Sequence, residues 1–347
     1  MKFIYLTSHK YPSNKVEPFF IKSMASAFEK LLRDDFTFLT RGKLPYRFRS
    51  VSYFFYLPAL ILKNGWTKRE IIFFSSDPYL LAILIFWKKV FFLKYRLVSD
   101  WHQLFGDWRD EFVARNSDFL ITTSKKLKSL LASRTGADPA KIFVAYGGVD
   151  LSLFAQKRTL GKLDYRKILN LPTDDFLTGY VGGFRSVGLE KGIDTMIRSL
   201  QLLENGSKMV FVGGSKELIG EYENLAEKLG VLQRCIFVEK QKFEKVIEYE
   251  LAMDVLVIPY PDRPHFRDYG FPMKIWEYMA AGRPIIYSNL PIIAEVLGGK
   301  AVAFEPDNPN SLADAILSVR DGKFEPAGEP YTWQNRAKNI LNFICAE

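Results

Sequence analysis

Short apolar runs and amphipathic runs alternate along the whole chain, and the alternation predicts secondary structure element by element. In the first half KFIYLT, FTFLT, EIIFFSS, YRLVSD, FLITTS and KIFVAYGG read as strands, with helical periodicity in PFFIKSMASAFEKLL and SKKLKSLLAS between them. In the second half FLTGYVGG, KMVFVGG, CIFVEK, VLVIPY, PIIYSN and AVAFEP read as strands. Its helices are GIDTMIRSLQLL, YENLAEKLG, FEKVIEYELA and SLADAILSVR. Most strand runs are apolar throughout rather than alternating, the pattern of strands covered on both faces. Strands separated by helices make parallel sheets. Two runs of six strands therefore predict an α/β protein with two doubly wound, Rossmann-like domains.

Between the runs lies DLSLFAQKRTLGKLDYRKILNLPTDD, polar, basic and without a strand of its own. It places a boundary near residue 160, giving domains 1–160 and 161–330. The end, YTWQNRAKNILNFICAE, is a helix with no strand after it, and 331–347 is expected to cross back onto the first domain. Open α/β sheets bind ligands at the carboxyl ends of their strands. Two sheets facing a cleft would put the chemistry in the loops just after strands.

Composition narrows the class. A chain of 347 residues, 48% hydrophobic, can build two cores. Cys235 and Cys345 both fall in apolar elements, which argues against a disulfide framework and for a reducing compartment. YFFYLPALIL and YLLAILIFW are about half the length that spans a bilayer. The N-terminal apolar run is too short for a signal peptide and reads as a strand. The expectation is a cytoplasmic protein, at most peripheral on the cytoplasmic membrane face.

The net charge of +9 is uneven, with 26 Lys and Arg against 13 Asp and Glu in residues 1–160 and 22 against 26 beyond. Such a first half suits an anionic partner, lipid headgroups or nucleic acid, or is simply a solvated basic surface. RGKLPYRFR beside the aromatic YFFYLPALIL favours an anionic membrane surface, and nucleic-acid recognition motifs are lacking.

Three stretches could carry chemistry. After FLTGYVGG comes FRSVGLEKGIDTMIRSL, a glycine-bearing strand end, a loop with Arg185 and Lys191, then Gly192 and a helix. Free N–H groups, the helix dipole and a flexible cation could hold a phosphate there, although ordinary turns carry the same residues. In YGFPMKIWEYMAAGRPII, Pro272 suits the first position of a helix, so Gly270–Met273 would present backbone donors. Glu277 shares a face with Met273 and could accept from paired sugar hydroxyls, or could be a plain surface acid. His102 directly follows a strand in SDWHQLFGDW, and His9, after the first strand, is a lesser candidate. The histidines, 9, 102 and 265, are too scattered for a zinc site. There is no P-loop, no Gly-x-Gly-x-x-Gly after the first strand, no Gly-x-Ser-x-Gly elbow and no paired aspartates for Mg²⁺.

The order VAYGGVDLSLF, GYVGGFRSVGLEKGID, VFVGG, LAEKLGVLQRCIFV, AMDVLVIPY, GFPMKIWEYMAAGRPIIYSNLPIIAEVL resembles the retaining glycosyltransferases of the two-Rossmann-domain GT-B fold, family 4. The match spans the second domain, and in the first it rests on FLITTSKKLKSLL and His102. The resemblance implies transfer of a hexose from a UDP- or GDP-linked donor to a glycan or lipid-linked acceptor. The donor would be a co-substrate, with no cofactor and no metal. The first domain would take the acceptor and the second the nucleotide-sugar. Lys191 would bind the donor diphosphate, helped by Arg185, with Gly182 and Gly183 letting the backbone approach. Gly270, Phe271, Pro272 and Met273 would contact diphosphate and sugar, Glu277 would hold the ribose, and His102 would bond the sugar. Tyr269 stands where the family has its first acid, with Asp268 one residue away. Pro272 replaces a glycine, and Gly183 replaces an arginine. These departures keep open a nucleotide-sugar-binding protein with lost catalysis, or a sugar-nucleotide epimerase on the same fold.

Overall fold

The computed structural model describes residues 1–9, 16–40, 54, 56–58, 70–322, 324 and 326–346, with backbone alone for 16–19. The segment RGKLPYRFR and most of YFFYLPALIL lie outside the described residues.

Each strand run read from the sequence forms a strand. The first sheet holds β1 (Lys2–Leu6), β2 (Phe36–Leu39), β3 (Ile71–Ser75), β4 (Arg96–Trp101), β5 (Phe119–Thr122) and β6 (Ile142–Val144), in the order β2-β1-β3-β4-β5-β6. The second begins with β7 (Phe176–Val181), followed by a small antiparallel hairpin of β8 (Arg185–Ser186) and β9 (Leu189–Glu190). It continues with β10 (Ser207–Gly214), β11 (Cys235–Glu239), β12 (Val255–Ile258), β13 (Ile285–Ser288) and β14 (Val302–Phe304). Its order is β11-β10-β7-β12-β13-β14, and all pairings in both six-stranded sheets are parallel.

The cores follow from the uninterrupted apolar strands. Phe3, Phe73 and Phe74 in the first sheet, and Val210, Phe211 and Leu256 in the second, are fully buried. Each such side chain contributes about 1.5–3 kcal/mol relative to exposure. The chain divides into two compact units, Met1–Gly148 with Tyr331–Glu347, and Val149–Pro330.

The boundary therefore falls after Gly148 and not near residue 160. The polar stretch that reads as a linker folds into helices Leu151–Lys157 and Lys162–Ile168, both in the second unit. Phe154 and Tyr165 are buried. Arg166, also buried, donates to Ala252 O at 2.9 Å and to Asp254 Oδ2 at 2.5 Å. Asp254 in turn accepts from the Leu177 amide at 2.7 Å, at the start of β7. Polarity marked these residues as solvent-facing, but their charges serve an internal network.

Helix Trp333–Cys345 lies in the first unit, where Phe343 stacks on Phe143 with ring centres 5.0 Å apart and Arg96 donates to Ile344 O at 2.7 Å. Both cysteines are free thiols. Among the described residues no helix is long and apolar enough to cross a membrane.

Candidate functional site

In the second sheet the strand order reverses between β7 and β12, and such a switch point is where open α/β sheets leave a crevice. The segments after both strands meet there. Gly192, at φ +85°, packs so closely on the backbone after β12 that a Cβ would lie 1.7 Å from Pro259 O. Only glycine fits, for shape and for backbone conformation. This contact sets Lys191 beside the other strand end, its ammonium 5.4 Å from the centre of the Tyr260 ring. No carboxylate among the described residues pairs with Lys191. His265 lies close by, and burial, followed by the Lys191 charge, lowers its pKa below the ordinary histidine value. The loop after β7 is held from below: Tyr180 donates its hydroxyl to Gly183 O at 2.8 Å, and Tyr278 accepts from the Val181 amide at 2.9 Å.

Two expectations for this loop are corrected. The mouth of helix Ile193–Ser199 offers fewer donors than expected, because Glu190 accepts from the amides of both Gly192 and Ile193. Glu190 also accepts from the Tyr222 hydroxyl at 3.0 Å, and burial raises its pKa. An acid three residues before the helix thus satisfies two of the N–H groups that an anion would otherwise take. Arg185 is engaged elsewhere. It lies on the β8–β9 hairpin and pairs with Glu221 at 2.8 Å, at the surface.

The stretch around Pro272 also departs from expectation. Residues His265–Tyr269 form a π-helical turn, Gly270 donates to His265 O at 2.6 Å, and Phe271 donates to Tyr269 O at 2.8 Å. The helix proper is Lys274–Ala281 with Met273 as its cap, so Pro272 stands before it and not at its first position. Ile275 and Trp276 donate back to Pro272 O and Met273 O at 3.1 Å, tightening the entry. Pro272 has no N–H, so two of the three backbone donors of Gly270–Met273 are used by the turn itself. The His265 ring occupies the space beside Gly270, where a Cβ would lie 3.1 Å from Nε2.

Glu277 is not a solitary acid on this helix. Its carboxylate bonds the ammonium of Lys274, one turn earlier, and Lys274 also pairs with Glu250 at 3.1 Å. Glu250 is fully buried on helix Phe243–Ala252, and burial pushes its carboxyl up to about 8. Lys274 reaches back beneath the end of β7, where a Cβ on Gly182 would lie 3.2 Å from its Cε. Gly182, Lys274 and Glu277 are therefore joined, by close packing of the lysine stem on the glycine and by an ion pair at its tip. Tyr269 is half-buried at the end of the π-helical turn.

In the first unit, His102 follows β4 and its Nε2 lies 3.3 Å from Asp100 Oδ2. Arg336, on the C-terminal helix and fully buried, donates to Asp100 Oδ1 at 2.6 Å and to Ala145 O. Burial alone would raise the Asp100 pKa, but Arg336 and His102 hold it below the usual value. Asp100 thus faces Nε2, and among the described residues Nδ1 of His102 has no hydrogen-bond partner. Phe20 packs edge-on to His102 at 4.4 Å. His9 stands after β1, its amide donating to Thr7 Oγ1 at 3.2 Å.

Reading the sequence missed His265, Lys274, Glu250, Asp100 and Arg336. Two of these carry a local signal: Asp100 stands two residues before His102, and Lys274 is three before Glu277. Glu250 and Arg336 carry none, since both look like solvated charges on amphipathic helices.

Two six-stranded parallel sheets with helices between their strands, and glycine-bordered segments meeting at the switch point of the second, define an α/β protein of the GT-B class. Residues 175–321, most of the second unit, match the family model of glycosyl transferases group 1. An uncharacterized glycosyltransferase of Methanocaldococcus jannaschii is 27% identical over 242 residues, covering 64% of this chain and 58% of that one. The D-inositol 3-phosphate glycosyltransferase of Mycobacteroides abscessus is 27% identical over 253 residues, covering 67% and 53%. The chain thus matches little more than half the length of these relatives. Among solved structures, HepE of Anabaena in complex with UDP has the same fold, with a TM-score of 0.67 at 16% identity over 99% of this chain and 95% of that one.

Proposed function

We propose that this chain is a glycosyltransferase that moves a hexose from a UDP- or GDP-linked donor to a glycan or lipid-linked acceptor, retaining the anomeric configuration. The observation that carries this reading is Lys191. It is a cation without a carboxylate partner among the described residues, held over Tyr260 at the switch point of the second sheet. HepE, of the same fold, holds UDP, which supports a uridine donor first.

In this reading the Val149–Pro330 unit binds the nucleotide-sugar and the Met1–Gly148 unit takes the acceptor. The glycosidic bond to the diphosphate breaks through an oxocarbenium-like state while negative charge grows on the leaving group. Lys191 meets that growing charge, and this is how it favours the transition state over the bound donor. No metal is called on for the same task. Glu277 accepts from the ribose hydroxyls, and the free Nδ1 of His102 bonds the sugar.

Incubation with UDP- and GDP-sugars, with and without lipid acceptors, tests the reading by nucleotide released. Acceptor-dependent release that is lost in Lys191→Ala supports it. Tyr269 in the place of the family's first acid favours a second reading, a nucleotide-sugar-binding protein without transfer. Tight UDP binding with no release from any donor and acceptor pair would select it.

A further inference from the structure

The side chains of Lys274, Glu250 and Glu277 form a cluster for which a plain structural account is poor. Lys274 stands on the first turn of its helix, where a lysine could reach water freely. Instead its stem runs inward beneath Gly182, and its ammonium is shared between two acids. Glu250 is fully buried, and it faces Glu277 as well as Lys274. Burying Glu250 fully and Lys274 and Glu277 in large part costs desolvation that their attraction only partly returns, and apolar side chains of similar volume would serve stability as well or better. What such a cluster does supply is direction. A side chain with three rotatable torsions is held at its tip by an ammonium whose own place is set from the opposite side.

We infer that Lys274, itself anchored by Glu250, is a positioning residue that aims the Glu277 carboxylate at the ribose of the donor. The inference rests on the proposed role of Glu277. It adds that this role depends on two residues that never touch the ligand. Glu277 and Lys274 sit three residues apart on one helix face, so their bond costs little chain ordering. A carboxylate has about four acceptor positions. Lys274 uses one on Oε2, and enough remain for a pair of vicinal hydroxyls. Glu250 then matters because a lone Lys274 could swing out to solvent with Glu277 following it. Gly182 has a second task besides backbone approach, since its missing Cβ makes room for the Lys274 stem.

The ligand carries the test. UDP and GDP are titrated calorimetrically beside their 2′,3′-dideoxy analogues into the full chain and its Lys274→Met, Glu250→Leu and Glu277→Gln variants. Wild type should prefer the ribonucleotide at least tenfold. Lys274→Met and Glu250→Leu, which removes the acceptor of Lys274 altogether, should lose most of that preference while binding the dideoxy analogue within twofold of wild type. Lys274→Arg, which keeps charge and reach, should restore part of it. Should Lys274→Met weaken ribo- and dideoxynucleotide equally, or leave the preference whole, the inference is overturned. If Lys274→Met does not fold, Glu250→Leu alone decides by the same ratio. A preference unchanged in Glu277→Gln would overturn the ribose reading itself, a separate outcome.

Discussion

Gly192 and Pro259 touch so closely that no other residue fits at position 192, where a Cβ would lie 1.7 Å from Pro259 O. This contact joins the loop after β7 to the segment after β12, and it places Lys191 over Tyr260. Gly192→Ala should cost stability on two counts, the positive φ at about 1–2 kcal/mol and the backbone clash beyond it. The expected outcome is a urea midpoint lowered by at least roughly 1–2 kcal/mol equivalent, with nucleotide affinity lost in the fraction that still folds.

Lys191→Ala should behave in the opposite way. The residue supports no core and bonds no carboxylate among the described residues, so the urea midpoint should hardly move. If its charge meets the leaving diphosphate, the transfer rate should fall roughly 100-fold or more. Arg185→Ala breaks only an exposed pair with Glu221, worth about 0–1 kcal/mol, and should leave transfer close to wild type. A steady-state comparison of both variants separates the two cations, and equal losses would return Arg185 to the site.

Glu250 makes stability depend on pH. Its carboxyl is pushed up to about 8 by burial, which outweighs the Lys274 charge that it shares with Glu277. Unfolded, the same carboxyl ionises near 4.5. The folded state therefore holds the proton that the unfolded chain releases, and this contribution is fully present below 4.5 and is lost as pH rises towards 8. Lys274, raised above its ordinary value, stays charged throughout that window. Unfolding free energy measured between these limits should fall with pH in wild type, and less steeply in Glu250→Gln.

Arg336 and Asp100 form a buried pair in the first unit, both side chains without exposure. Removing one partner leaves a buried charge uncompensated. Arg336→Met should cost about 3–5 kcal/mol, and much of this should return when Asp100→Asn is added. The double variant also replaces the charged acceptor facing His102 Nε2 with a neutral amide, so regained stability without regained transfer would show that the Asp100 charge orients the ring.

The first unit exposes Phe91 at 58% and Phe92 at 88%, beside the exposed Lys89 and Lys94. Aromatic insertion next to cations suits an anionic bilayer, at about 1 kcal/mol per cation near the surface. Sedimentation with anionic liposomes should exceed that with neutral ones and should drop in a Phe91→Ser, Phe92→Ser variant. Equal sedimentation with both lipids would remove the electrostatic part.

Periodicity and local chemistry decided the twelve strands of the two sheets, because burial on both faces favours apolar residues along most of each central strand. They also singled out the segments around Lys191 and Glu277, because glycine-bordered strand ends are written locally. What only the tertiary structure decided is the partner of each charge. Glu190 looked like a bystander to a phosphate loop and instead caps its helix, and Arg185 turned to Glu221. Glu277 looked solitary and is tied through Lys274 to Glu250, on another helix. Arg166 looked solvated and instead bonds Asp254 inside the second unit, which begins at Val149. Pattern shows which face of an element is apolar, since that preference repeats along the chain. Which two charges meet depends on where separate elements dock, and a single charged residue looks the same in sequence whether its partner is water or a buried acid.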